Sequence, residues 1–175
     1  MRNGVIAIIF NPDKSKVLLI ERCDVPVWVL PGGGIDPGET PEEAVCREAW
    51  EETGMRVEII RQVGEYTPLN KLSSLTYVFE CKPLDGLMRT GCETKAIGFY
   101  PLQQLPKVFF IVHRDWLQDA LRNKEEVIKR PNSRVTYFEL VKFFFKHPIL
   151  VIRFFLYFPY KNQKNHRLFF PTENQ

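Results

Sequence analysis

Pro31-Gly32-Gly33-Gly34-Ile35-Asp36-Pro37-Gly38-Glu39 runs directly into Thr40-Pro41-Glu42-Glu43-Ala44-Val45-Cys46-Arg47-Glu48-Ala49-Trp50-Glu51-Glu52-Thr53-Gly54-Met55, and this stretch decides the fold. Its second half is a helix with both ends marked. Thr40 suits the N-cap, Pro41 suits the first helical position, and Glu43 completes a capping box with Thr40. Glu42 and Glu43 carry negative charge at the positive helix start. Gly54 stands where a left-handed C′ residue is expected. The pattern predicts a helix over Pro41–Thr53.

Glu48, Glu51 and Glu52 fall at i, i+3 and i+4 of that helix, on one face within about 100° of arc. Carboxylates so placed repel one another unless something positive sits between them. Hard divalent cations take oxygen ligands, and Mg²⁺ in particular binds through a few carboxylates plus substrate phosphates. Cys46 and Trp50, flanked by Val45 and Ala49, are expected to hold the opposite face against a sheet. The glycine-rich loop before the helix lets backbone approach a ligand, and a main-chain carbonyl there can add an oxygen. Arg47 is placed to pair with Glu39 and lock loop to helix.

Working outward, Val5–Phe10 and Lys16–Glu21 are apolar runs separated by Asn-Pro-Asp-Lys-Ser, a strand, a turn and a strand. Val25–Leu30, Arg56–Val63, Leu75–Cys81 and Ala96–Pro101 read as further strands. Asn70 to Ser74 and Lys82 to Gly91 read as loops. A second helix is expected from His113 to Asn123, with Trp116, Leu117, Ala120 and Leu121 at helical spacing. Strands before and after the first helix make this a mixed α/β domain with helices packed on a sheet.

The chain has 175 residues, enough for one domain with a substantial core. Hydrophobic residues at 45% and charged residues at 26% exclude a disordered chain. The first ten residues read as a strand rather than a signal peptide. Cys23, Cys46, Cys81 and Cys92 are scattered without a C-x-x-C pair, which argues against a zinc site or disulfide scaffold and fits a reducing cytoplasm.

The net charge of +3 is unevenly spread: residues 131–175 carry +5 and residues 1–130 carry −2. Twelve of the 23 aromatic residues also lie in 131–175, so the composition breaks near Pro131. Residues 1–130 are read as the catalytic body and 131–175 as a basic, aromatic, helical extension. Tyr137, Phe138, Val141, Phe144 and Phe145 share one helical face of it, and Ile149–Phe158 is apolar except for Arg153. The expected roles of such a segment are packing on the body, forming a homodimer, or peripheral contact with an anionic membrane surface. It is too interrupted to span a bilayer.

The stretch from Gly33 to Met55 resembles the Nudix box, G-x5-E-x7-R-E-U-x-E-E-x-G-U, at every fixed position: Gly33, Glu39, Arg47, Glu48, Ala49, Glu51, Glu52, Gly54 and Met55. Trp28-Val29-Leu30-Pro31-Gly32-Gly33-Gly34 is similar to the family's lead-in to the box, and Glu93 to Leu102 to its late strand. The resemblance covers about the first 125 residues. It implies an α/β/α sandwich around a mixed sheet, and Mg²⁺- or Mn²⁺-dependent hydrolysis of a nucleoside diphosphate linked to another moiety, releasing a nucleoside monophosphate.

Carried over residue by residue, the resemblance implies Glu48, Glu51 and Glu52 as metal ligands, with the Gly32 carbonyl as the backbone ligand. Arg47 and Glu39 orient the set. The general base is Glu48 itself or a late acid, for which Glu93 is the best placed. Gly33, Gly34 and Trp28 are expected against substrate. Trp28, Tyr77 and Phe79 can each stack a base or serve as core. His113 is expected at the surface. The box does not decide the leaving group: Pro68 and Tyr66 are off the positions that mark ADP-ribose and diadenosine polyphosphate hydrolases. Two alternatives stand beside this reading. One is a nucleotide-sensing module without turnover, which the retained acids disfavour. The other is hydrolysis of diadenosine polyphosphates or of RNA 5′ ends, the latter disfavoured by a body of charge −2; no specific nucleic-acid binding is expected.

Overall fold

The computed structural model describes residues 2–71, 73–122 and 125–133. Its elements are β1 (Gly4–Ile9), β2 (Lys16–Arg22), β3 (Trp28–Val29), β4 (Gly32–Gly34), α1 (Pro41–Thr53), β5 (Arg56–Thr67), β6 (Thr76–Asp85), β7 (Thr94–Pro101), α2 (Ile111–Arg122) and β8 (Ile128–Pro131). They form a five-stranded mixed sheet in the order β4-β1-β6-β5-β8 and a three-stranded sheet in the order β3-β2-β7. β1 runs parallel to β6, β5 parallel to β8, and the remaining pairings are antiparallel.

The unbroken apolar run of β1 has a direct cause: both faces are covered. Val5, Ala7 and Ile9 pack with Ala44, Val45 and Ala49 of α1. Ile6, Ile8 and Phe10 pack with Val112, Trp116 and Leu117 of α2. The two helices therefore sandwich the sheets, giving the expected α/β/α layers. Among the described residues, no helix is long and apolar enough to cross a membrane.

Several expectations are revised. The triglycine is not a simple turn: β4 pairs antiparallel with β1 in the register Gly4↔Gly34, Val5↔Gly33 and Ile6↔Gly32. The run at Val25–Leu30 is extended only at Trp28–Val29. β5 and β6 each run on, to Thr67 and Asp85, because they pair with one another past register shifts. β8 has a sequence too polar to read as a strand. It crosses residue 130, where the composition changes. Tyr66 Oη and the Arg130 guanidinium both donate to Asp119 Oδ2, at 2.8 and 2.5 Å, and the Asn132 N–H donates to the Thr67 carbonyl at 2.9 Å. The aromatic segments of the extension lie outside the described residues.

The face of α1 also differs from expectation. Its buried residues are Ala44, Val45, Ala49 and Thr53, whereas Trp50 is 38% exposed. Small side chains let the helix approach the sheet closely, and Trp50 is too large for that seam. His113 is not at the surface. It is 9% exposed, and its Nδ1 accepts the Leu30 N–H at 2.9 Å. Burial pushes its pKa down to about 3, so it is the neutral imidazole that bonds Leu30. The four cysteines are free thiols, as their scatter indicates.

Candidate active site

α1 enters as its sequence dictates. Thr40 Oγ1 accepts the Glu43 N–H at 3.2 Å, and Glu43 Oε2 accepts the Thr40 N–H at 2.8 Å. At the other end Gly54, at φ 70°, donates to the Trp50 carbonyl at 2.8 Å. These caps fix the rotation of the helix about its axis, and so the direction of its acids.

Arg47 is the hub. Its Nε and Nη2 donate to the two oxygens of Glu39 at 2.8 and 2.9 Å, a fork-to-fork pair. Nη2 also reaches the Gly34 carbonyl at 2.9 Å, and Nη1 reaches Glu48 Oε1 at 2.9 Å and Glu51 Oε2 at 3.5 Å. Glu39 Oε2 further accepts the Asp36 N–H at 3.0 Å. One planar cation thus binds the loop, β4 and two of the helix acids. The hydrogen bonds from Arg47 hold the Glu39 carboxyl below the usual carboxylate range.

Glu48 and Glu52 sit on the inner side of the helix. Glu52 Oε2 accepts the Gly32 N–H at 2.8 Å. Glu48 lies so close to β4 that a Cβ on Gly33 would collide with its carboxyl group, and a side chain at position 33 would displace that carboxyl from its place. Burial pushes both carboxyls up, Glu52 to about 7, and each feels the negative charge of the other acids and of Glu93. Arg47 opposes the shift at Glu48, and the Gly32 N–H opposes it at Glu52.

These groups wall a cavity of about 460 Å³. Gly32, Gly33 and Gly34 line one side, with Glu48, Glu51 and Glu52 along the helix. Gly91, Cys92 and Glu93 close it from the loop before β7, and Arg2 and Arg22 add positive charge. Glu48, Glu51 and Glu52 are thus brought together on the wall, and Glu93 joins them from a distant part of the chain, while Glu39 stands off the wall, paired with Arg47. Trp28 is not on the wall. Its ring packs edge-on against Tyr100, 4.7 Å between centroids, at the edge of the α2-side core. Phe79 is buried core, and Tyr77 packs against the α1-side core.

Sequence reasoning misses Arg2 and Arg22. Arg22 ends β2 and donates to both oxygens of Asp24, at 2.9 and 2.6 Å. The Arg-x-Asp spacing at the end of an apolar strand is the available signal. Arg2 donates to the Ile35 carbonyl at 2.7 Å and pairs with Asp36. Nothing in its sequence surroundings marks it, because the antiparallel pairing of β1 with β4 is what carries it to the cavity.

The donor set suits a divalent ion of the hard, oxygen-binding kind. Two half-buried carboxyls are raised by desolvation and by neighbouring acids, Glu48 by Glu51 and Glu93 and Glu52 by Glu48 and Glu93, and a cation there relieves both. Among the described residues no group of three or more His, Cys, Asp or Glu side chains is arranged to hold a metal ion by itself. Mg²⁺ does not need one, since waters and substrate phosphates fill its remaining positions.

Comparison with known proteins agrees with this fold. The family model described as NUDIX domain matches residues 1–120. A MutT-like protein of Streptomyces ambofaciens is 37% identical over 118 residues, spanning 67% of this chain and 75% of that one. An ADP-ribose pyrophosphatase of Methanocaldococcus jannaschii is 34% identical over 118 residues, spanning 63% of this chain and 68% of that one. The crystal structure of an ADP-ribose pyrophosphatase from Streptococcus suis 89-1591 superposes with a TM-score of 0.60 at 28% identity, over 74% of this chain and 98% of the other.

Proposed function

The chain belongs to the Nudix family and is a hydrolase of phosphorus-containing anhydrides, and from that premise we propose that it cleaves a nucleoside diphosphate linked to another moiety: ADP-ribose, a nucleotide sugar or a nucleoside triphosphate. The observation that carries the reading is the charge arrangement of the cavity. Three helix acids and Glu93 face a space into which Arg2 and Arg22 also point charge.

Glu48, Glu51 and Glu52, with the Gly32 carbonyl, would hold Mg²⁺ or Mn²⁺. Bound there, the ion supplies charge neutralisation at the phosphates and a more acidic water. Arg47 orients Glu48 and Glu51, and Glu39 orients Arg47. Arg22 is held rigid by Asp24 and meets the negative charge of the diphosphate. Gly33 and Gly34 let the chain of the substrate lie close to β4. Glu93, or Glu48 itself, takes the proton of the attacking water. We assign no substrate contact to Trp28.

The extension at 131–175 we read as associative: packing on the body, pairing two copies or resting on anionic lipid, with the cytoplasm as the setting. Its charge is opposite in sign to that of the body, and its aromatic density is too high for a solvated linker.

A substrate panel tests the reading. ADP-ribose, UDP-glucose, dGTP, 8-oxo-dGTP and diadenosine tetraphosphate are each assayed with Mg²⁺ and with EDTA, and products are identified by chromatography. Metal-dependent release of a nucleoside monophosphate is expected. Turnover of none of them, or turnover unaffected by EDTA, overturns it.

A further inference from the structure

α1 ends beneath the loop that carries Glu93. The Arg89 N–H donates to the Thr53 carbonyl at 2.9 Å. The Arg89 guanidinium stacks on the Trp50 ring, 4.8 Å from its centroid. Neither side chain lines the cavity. The last turn of α1 contains no basic residue of its own, so Arg89 brings a cation to the negative end of the helix from outside it. Two residues on, Gly91 lies so close to α1 that a Cβ there would collide with the Glu51 carbonyl oxygen.

Past this contact the chain is tied again. The Gly91 carbonyl accepts the Thr94 N–H at 3.2 Å, and the Glu93 carbonyl accepts the Cys23 N–H at 2.9 Å. Glu93 therefore hangs between two anchors, the end of β2 and the end of α1. Apolar burial does not hold the loop, since Leu87 and Met88 at its tip are 87% and 51% exposed. Close backbone approaches hold it to the end of α1, at Arg89 and Gly91 and also where Gly86 packs on Gly54.

We propose that Arg89, stacked on Trp50, is a positioning residue for the hydrolysis: it clamps the loop to the end of α1 and so fixes Glu93 across the cavity from Glu48 and Glu52. This rests on reading Glu93 as part of the reacting site. It also explains an aromatic residue that faces solvent on the helix bearing the catalytic acids. Trp50 serves the loop rather than the core.

The test is a double-mutant cycle in the full chain, using Arg89→Ala, Glu93→Gln and the double variant, with kcat and KM measured on the fastest substrate of the panel. Arg89→Ala deletes the Arg89–Trp50 stack, leaves Arg56 at 5.9 Å from the same ring, and keeps the backbone hydrogen bond. It is expected to lower kcat about tenfold with KM changed less than about threefold, and with the melting temperature nearly unchanged. Arg89→Lys, which keeps a cation on the ring, should recover most of the loss. Gly91→Ala, which pushes the loop off Glu51, should repeat it. In the Glu93→Gln background Arg89→Ala should cost nothing further. A parental kcat in Arg89→Ala overturns the proposal. So does an undiminished cost in the Glu93→Gln background, or a loss that Arg89→Lys does not rescue and that tracks a fall in melting temperature. A parental kcat in Glu93→Gln instead overturns the role of Glu93, and the proposal falls with it.

Discussion

Glu52 accepts the Gly32 N–H at 2.8 Å, and this bond joins the last turn of α1 to β4 at the wall of the cavity. The carboxyl it holds is pushed up to about 7 by burial, with the charges of Glu48 and Glu93 adding to the effect. A raised carboxyl stabilises the fold below its ordinary pKa near 4.5 and loses that contribution as pH rises through about 7. Without metal, the protein is expected to lose stability between about pH 4.5 and pH 7 through this group, and Mg²⁺ should restore it at about pH 8. Urea unfolding at about pH 4.5 and about pH 8, in EDTA and in Mg²⁺, measures this. Glu52→Gln should remove that part of the slope.

His113 gives a pH effect of the opposite sign. Its folded pKa near 3 lies below the ordinary 6.5, so its contribution is complete above about pH 6.5 and is lost as pH falls toward 3, by up to about 1.4 kcal/mol per pH unit. Replacing His113 with Leu should flatten the acid limb. It should also cost about 1–3 kcal/mol at pH 7, because the buried Leu30 N–H loses its acceptor. Urea titrations at about pH 4.5 and pH 7 check both statements.

Arg47→Lys tests the hub. A lysine keeps the charge but cannot span both Glu39 oxygens, the Gly34 carbonyl and Glu48 together. The expected result is a loss of about 1–3 kcal/mol in urea unfolding and about 10–100-fold in kcat, as is typical when a group orienting metal ligands is removed. Unfolding curves and steady-state kinetics give the two numbers.

What is legible in the sequence is what is local. Thr40, Pro41, Glu43 and Gly54 mark α1 to the residue, and the spacing of Glu39 and Arg47 along loop and helix marks their pairing. What is not legible depends on strands meeting at a distance. The pairing of β4 with β1 turns a triglycine into a strand and brings Arg2 to the cavity. The burial of His113 arises because α2 packs under Leu30, which no neighbouring residue signals. Trp28 reads as a binding aromatic because it precedes the glycines, yet its ring turns to Tyr100. The size of Trp50 points to the core, but the helix seam admits only small residues such as Ala44 and Ala49.

β8 is tied to β5 and α2. Tyr66 and Arg130 share Asp119, and Asn132 bonds Thr67. A chain ending after Ser133 is expected to fold and to turn over substrate with near-parental kcat. A chain ending after Lys129 lacks Arg130 and Asn132 and should be less stable by about 2 kcal/mol or more. Melting curves and kinetics of the two truncations, with gel filtration and co-sedimentation with anionic vesicles, separate the role of β8 from that of the extension.

The most direct measurement is the turnover of Glu52→Gln in Mg²⁺. The substitution keeps the size of the side chain and removes its charge from the wall of the cavity. If the α1 acids carry metal-dependent hydrolysis, kcat should fall by ~10³-fold or more while the circular dichroism spectrum stays that of the parent. A folded Glu52→Gln protein with near-parental turnover would contradict the assignment of the site.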